Sequence, residues 1–241
     1  MKPLLTLAAM AFVSLGLPSS ANANVIDLTF ENIAPYPNLN NVLIQNYYNG
    51  GTSSIGTSGP NYGISFGSNA LLICLNSLSQ SCSNTSRGGL GDPASQRGAL
   101  FFLSGGSTNL NDPAGFTTGF SFNYVSTTFS GSVGVWSGLD ATGTLLATLN
   151  LSPNAGACSG YNAGFCPFSP VGVTFAGTAQ SIAFGGVANQ IAFDDITFGS
   201  ATPGTAPEPA TWAMALIGFG LIGGALRRRV VRTHRLAYAP A

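Results

Sequence analysis

Histidine and lysine are almost missing from this 241-residue chain: one of each occurs, His234 and Lys2, and they lie at opposite ends. Between residues 24 and 206 there is neither. A Ser-His-Asp or Cys-His arrangement is therefore excluded there, because no imidazole can take the nucleophile's proton. Schiff-base and Ser-Lys chemistry fall for want of an amine. Charge of any sign is scarce, at 7% of residues. The same region sets Arg87 and Arg97 against Asp27, Glu31, Asp92, Asp112, Asp140, Asp194 and Asp195, a net charge of −5. Without a basic patch this region has no means of displacing counterions from a nucleic acid. No phosphate loop, dinucleotide fingerprint or fixed-period repeat is present. One enzymatic class survives this subtraction, glycoside hydrolysis by paired carboxylates. Its only candidates, Glu31 and six aspartates, stand in no motif, so the expectation is a protein that is not an enzyme.

What is present begins with the N-terminus. Lys2 precedes an uncharged apolar run over residues 4–17, and Ala21-Asn22-Ala23 follows a Pro-Ser-Ser stretch. A positive start, a short apolar core and an Ala-x-Ala exit describe a secretory signal peptide, residues 1–23, cut by signal peptidase after Ala23 to leave Asn24 first. The small residues matter because the peptidase holds that segment extended in shallow pockets. The apolar run is short for a membrane span.

Residues 24–200 are long enough for one domain with a sizeable core. The chain has 32 glycines and 14 prolines, and turn clusters such as "NGGTSSIGTSGPNYG", "GGLGDP", "SGGSTNLNDPAG" and "GLDATG" punctuate it. Between them, apolar residues alternate: Phe116, Thr118, Phe120, Phe122 and Tyr124 share one face, as do Leu145, Ala147, Leu149 and Leu151, and Val171, Val173 and Phe175. Period two with β-branched and aromatic residues predicts half-buried strands. Further strands are expected at 25–30, 42–48, 71–75, 99–103, 132–136, 181–184 and 190–198. About ten short strands and no helical spacing point to an all-β, single antiparallel β-sandwich of jelly-roll type.

Four cysteines fall in two pairs of equal spacing, Cys74 and Cys82, then Cys158 and Cys166. An even count in an exported protein reads as disulfides, for which three connectivities exist. Pairing within each short loop loses least chain entropy and is the expected one. A four-thiolate metal site lacks the Cys-x-x-Cys spacing. Trp136 alternates away from Val133 and Val135, which puts it on the outer face or rim, either as a glycan contact or as cover for a core edge.

The stretch "QIAFDDITFGS" closes the domain. Strict alternation groups Ala192, Asp194, Ile196 and Phe198 on one face, and Ile191, Phe193, Asp195 and Thr197 on the other. Large apolar residues on both faces describe a central strand, so one aspartate lies against apolar packing and needs donors or a cation. The stretch resembles the closing strand of jelly-roll carbohydrate-binding modules, some of which hold a structural calcium beside the N-terminal strand. That resemblance implies Asp194 with Asp27 or Glu31 as calcium ligands; backbone amides and turns are the other way to satisfy the carboxylate.

The tail carries the most information. After a linker at 201–206 come Pro207-Glu208-Pro209, then residues 210–226 without a charge, then Arg227, Arg228 and Arg229, and a further basic stretch at 230–241. Seventeen helical residues span about 25 Å, the lower limit for crossing a bilayer. Trp212 suits the outer interface, and the arginines place the C-terminus in the cytoplasm. The prolines fix φ and hold the tripeptide extended just outside the lipid. The three parts in this order resemble the PEP-CTERM sorting signal of Gram-negative bacteria. The resemblance implies recognition of Pro207, Glu208 and Pro209 by an exosortase, an integral-membrane transpeptidase, with Arg227–Arg229 as stop signal. Members usually end soon after the arginines, whereas twelve residues follow here.

Together these readings predict a non-enzymatic protein that is first anchored in the inner membrane with its body outside. It then passes to the envelope or extracellular matrix, where exopolysaccharide is its expected partner. The alternatives are a glycan-acting hydrolase and a plain single-pass anchored surface protein.

Overall fold

The structure, a computed structural model, describes residues 26–36, 40–75, 97–156 and 165–203. Ten strands form one antiparallel hydrogen-bonded sheet, so the all-β antiparallel class is found. They are β1 (Asp27–Leu28), β2 (Val42–Leu43), β3 (Ser65–Phe66), β4 (Leu71–Cys74), β5 (Gly98–Phe101), β6 (Ser107–Ser126), β7 (Gly131–Trp136), β8 (Leu145–Leu151), β9 (Ser169–Gly185) and β10 (Ile191–Phe198). The main path runs β2-β4-β5-β10-β6-β9-β7-β8, with β1 added to β10 and β3 to β6. Among the described residues the only helical turn is the short 3-10 segment Leu139–Ala141.

A long ribbon of β6 and β9 organises this sheet. Its register runs from Ser107 opposite Gly185 to Tyr124 opposite Ser169, with irregularities around Phe116. The first half of β6 carries β3, and the second half pairs with β10. The second half of β9 pairs with β7. The two halves of the ribbon face each other. Phe184 has Thr108 and Val133 as its lateral neighbours, yet its ring centroid lies 5.8 Å from Phe122 and 4.8 Å from Phe193. Those contacts cross the fold rather than run along the sheet.

The bend explains a departure from the sequence reading. "SGGSTNLNDPAG" has turn composition, but residues from Ser107 onward are strand. Asp112 accepts the N–H groups of Ala114 and Gly115 at 3.1 and 3.2 Å, while Gly115 takes φ +77°. The four residues 112–115 drop out of the β6–β9 ladder, and Pro113 is tolerated because no ladder N–H is needed there. On the partner, 181–184 is not a separate strand; it continues β9 past Gly177, whose φ is +95°.

Phenylalanine fills the space between the halves: Phe30, Phe102, Phe120, Phe122, Phe184, Phe193 and Phe198 are buried in one cluster. Burying each contributes about 1.5–3 kcal/mol against leaving it in water. Most ring pairs are T-shaped or tilted, as ring quadrupoles favour. A second cluster, with Ile73, Ala99, Phe101, Val125 and Ala192, packs under Phe165 and Phe168 on the outer face. Every residue of β10 is buried, Ala192 in this second cluster.

The closing strand does not keep the strict alternation expected of it. Ile191, Phe193, Ile196 and Phe198 all belong to the main core, whereas Ala192 faces the second cluster. A register shift between Asp194 and Thr197 inserts one extra residue, with Asp195 at φ +47°. This bulge reverses the parity of the strand.

Candidate functional site

Two regions bear on function. The first, the tail, lies outside the described residues, with Pro207, Glu208, Pro209, Arg227, Arg228 and Arg229; so do Ala21, Ala23 and Asn24 at the other end. The second is a cleft of about 130 Å³ where the chain leaves β1 and meets the loop between β2 and β3.

The loop is built to be rigid. Antiparallel bridges join Asn49 to Asn61 and Thr52 to Ser58, and Gly50 N–H donates to the Pro60 carbonyl at 3.0 Å. At Gly59 an added Cβ would stand 2.2 Å from the Tyr47 carbonyl and 2.7 Å from its ring, so only glycine allows this closure. Tyr47 and Tyr48 form the buried floor, with ring centroids 5.0 Å apart at 89°. Tyr47 donates its hydroxyl to the Asn32 carbonyl at 3.1 Å, and Tyr48 Oη accepts the Phe30 N–H at 3.0 Å. Both hydroxyls are therefore tied to the segment after β1.

One wall is Pro60 and Tyr62. Tyr62 lies parallel to Tyr48, centroids 6.2 Å apart at 15°, and keeps 44% of its surface exposed. Its N–H donates to the Tyr48 carbonyl at 2.8 Å, which fixes its backbone. Asp27, Thr29, Glu31 and Asn32 complete the lining. Burial raises Tyr48 well above the ordinary phenol value, with the Phe30 N–H pulling the other way and Tyr47, Asp194 and Tyr62 adding to the rise. Tyr47 is raised by burial and by Tyr62. Both phenols are neutral at physiological pH.

The expected calcium ligands are Asp194 with Asp27 or Glu31; among the described residues no three His, Cys, Asp or Glu side chains are grouped to hold a metal. Each of these carboxylates has protein partners. Asp27 sits at the surface opposite Thr197, whose hydroxyl is 3.5 Å from Oδ1. Glu31 Oε1 accepts the N–H groups of Arg97 and Gly98 at 2.8 and 3.2 Å, and Oε2 is 3.6 Å from Arg97 Nε. Asp194 is buried in β10 and accepts the Asp195 N–H.

Trp136 lies apart from the cleft. It is half-buried, its indole N–H is enclosed without a hydrogen-bond partner, and Gly134 leaves the space its ring occupies beside Leu145. Of the cysteines, Cys74 and Cys166 are not free thiols; Cys82 and Cys158 lie outside the described residues. The three cleft tyrosines were missed because Tyr47 and Tyr48 end the stretch expected as a strand at 42–48, while Tyr62 lies in the turn cluster "NGGTSSIGTSGPNYG". Three of the seven tyrosines falling within residues 47–62 was the available signal.

A protein whose tail combines a Pro-Glu-Pro tripeptide, an apolar run and an arginine cluster is one addressed through its C-terminus. Comparison with known proteins agrees: residues 205–229 match the family model of the PEP-CTERM protein-sorting motif. The chain thus carries that motif, which implies export, membrane anchoring and processing by an exosortase-type enzyme. No curated protein matches the chain. Among solved structures, the K1 cleaved adhesin domain of Lys-gingipain (Kgp) from Porphyromonas gingivalis W83 is similar at 11% identity and a TM-score of 0.41, covering 73% of this chain and 98% of that one.

Proposed function

We propose that this is a non-enzymatic cell-envelope or extracellular-matrix protein of a Gram-negative bacterium, delivered by an exosortase-type system and in contact with exopolysaccharide. The carrying observation is the sorting motif at residues 205–229. In this reading residues 1–23 are a signal peptide removed by signal peptidase, and 210–226 cross the inner membrane with the basic tail at 230–241 in the cytoplasm. The exosortase then cuts near Pro207–Pro209 and releases a jelly-roll ectodomain stiffened by disulfides.

The absence of catalysis is supported by composition and by how the carboxylates are used. The region between the two processing segments has no histidine or lysine. Asp112 serves the β6 bend, Asp140 holds Asn111, Glu31 holds Arg97, and Asp195 accepts from Asn123. A pair of carboxylates positioned across a substrate is not among these uses.

Mass spectrometry of the mature protein from its native host tests the sorting. A C-terminus within residues 205–210 is expected. An intact Ala241 overturns processing and leaves a plain single-pass anchor. Sugar release by the purified protein, abolished by Asp→Asn changes, would establish the hydrolase instead.

A further inference from the structure

We propose that the Tyr62 cleft is a saccharide subsite that takes one ring of a neutral pyranose chain; this rests on the reading that the exported domain meets polysaccharide. Three observations carry it. The first is the exposed ring of Tyr62, fixed by its N–H bond to Tyr48 and by parallel packing on the Tyr48 ring. A pyranose with equatorial hydroxyls presents an apolar C–H face, which settles on such a ring with little loss of side-chain entropy because the ring is already held. The second is the polar lining, in which exposed Asp27 and Asn32 share the cleft with Tyr62. Hydroxyls at the sugar's edge need both acceptors and donors, and a carboxylate with an amide supplies them. The third is size and sign. At about 130 Å³ the cleft is well below the ~300 Å³ of enclosed small-molecule pockets, so it holds a unit of a longer chain against the surface. Arg97 offsets the charge of Glu31, and residues 24–206 together carry a net charge of −5. A uronate polymer is repelled there and a neutral one is not.

Recognition of this kind needs no moving part. The floor tyrosines are buried and hydrogen-bonded, Gly59 locks the loop against Tyr47, and the segment after β1 is pinned by Tyr47 and Tyr48. Binding therefore costs little ordering of the protein.

The test is calorimetric titration of the full-length chain in detergent micelles with cellohexaose, xylohexaose, chitohexaose and, as the acidic probe, tetragalacturonate. At least one neutral probe is expected to bind and tetragalacturonate is not. Tyr62→Ala should weaken binding about tenfold or more, and Tyr62→Phe, which keeps the ring, less than about twofold. Asn32→Ala should weaken it about threefold to tenfold. Phe129→Ser, at the other end of β10 from Asp27, should change nothing, since Ser126 pairs with Ile191 and Asp27 with Thr197. Thermal melts establish that each variant is folded; should Tyr62→Ala not fold, Asn32→Ala and Tyr62→Phe decide the matter. Binding of no neutral probe, preference for tetragalacturonate, or wild-type affinity in folded Tyr62→Ala or Asn32→Ala overturns the site. A chain correctly cut at its tail that binds no neutral probe sinks this proposal and leaves the sorting intact, whereas a binder with an uncut tail does the reverse.

Discussion

Asp195 stands in left-handed backbone at φ +47° directly after Asp194, and its N–H donates to Asp194 Oδ1 at 2.8 Å. Aspartate and asparagine enter that region more readily than other side chains, because their short polar groups bond locally. Asp195 Oδ2 also accepts from Asn123 Nδ2 at 3.0 Å. Asp195→Val therefore forces a β-branched residue into a disfavoured conformation and leaves the Asn123 amide unpaired. A loss of about 2–4 kcal/mol is expected by urea denaturation. Asp195→Asn, which tolerates the same φ and still accepts, should lose under about 1 kcal/mol.

Phe184 is the contact between the two halves of the sheet, touching Phe120, Phe122 and Phe193. Truncation to alanine leaves a cavity that neighbours from both halves would have to close together. Phe184→Ala should cost about 3–5 kcal/mol. Exposed Leu103, replaced by alanine as a comparison, should shift stability by about 0.5 kcal/mol or less. Equal effects for the two would show that the halves are not held through this ring.

Asp112 predicts a dependence on pH. Burial raises its pKa from the ordinary 3.8, against the lowering effect of the Gly115 and Ala114 N–H groups. The folded state thus holds the proton more tightly than the unfolded one. Its contribution is fully present below pH 3.8 and is lost as the pH climbs through the higher folded value. Asp112→Asn keeps the acceptor for the turn and removes the titration. Urea midpoints measured across that range should show the variant gaining on the wild type as pH rises. A constant difference between them would mean that the carboxyl does not feel its burial.

Neither Cys74 nor Cys166 is a free thiol, and pairing within each local loop is the expected connectivity. Non-reducing peptide maps should link Cys74 to Cys82 and Cys158 to Cys166. Replacing both members of one pair by serine should cost about 2.5 kcal/mol on the loop-entropy model. A peptide joining Cys82 to Cys158 would refute that pairing.

The parts of the fold legible in the sequence are those where alternation is unbroken. β7 and β8 are found at nearly their expected bounds, because Val133, Val135, Leu149 and Leu151 mark one face and the turn residues "GLDATG" fall only between the two strands. The bend of β6 was illegible, since Asn111-Asp112-Pro113-Ala114-Gly115 writes a bulge with the same residues that write a loop. In β10 the expected alternation failed at one residue: Asp195 shifts the phase, and composition does not say whether an aspartate lies in a strand or steps out of it. β3, two residues long, has no period to detect. The cleft was hidden for a different reason. Its lining comes from segments some thirty residues apart, which no local pattern brings together.

The pairing of β1 with β10 decides where the domain is moored. Asp27 opposes Thr197, so the first strand begins beside the point at which the last one ends. From Gly199 to Pro207 the chain has eight residues to travel, a reach of at most about 28 Å. With anchoring and cleavage as proposed above, the Asp27 side of the cleft stays within that reach of the lipid until the cut near Pro207–Pro209, and the same cut would free it for the polymer proposed to bind there.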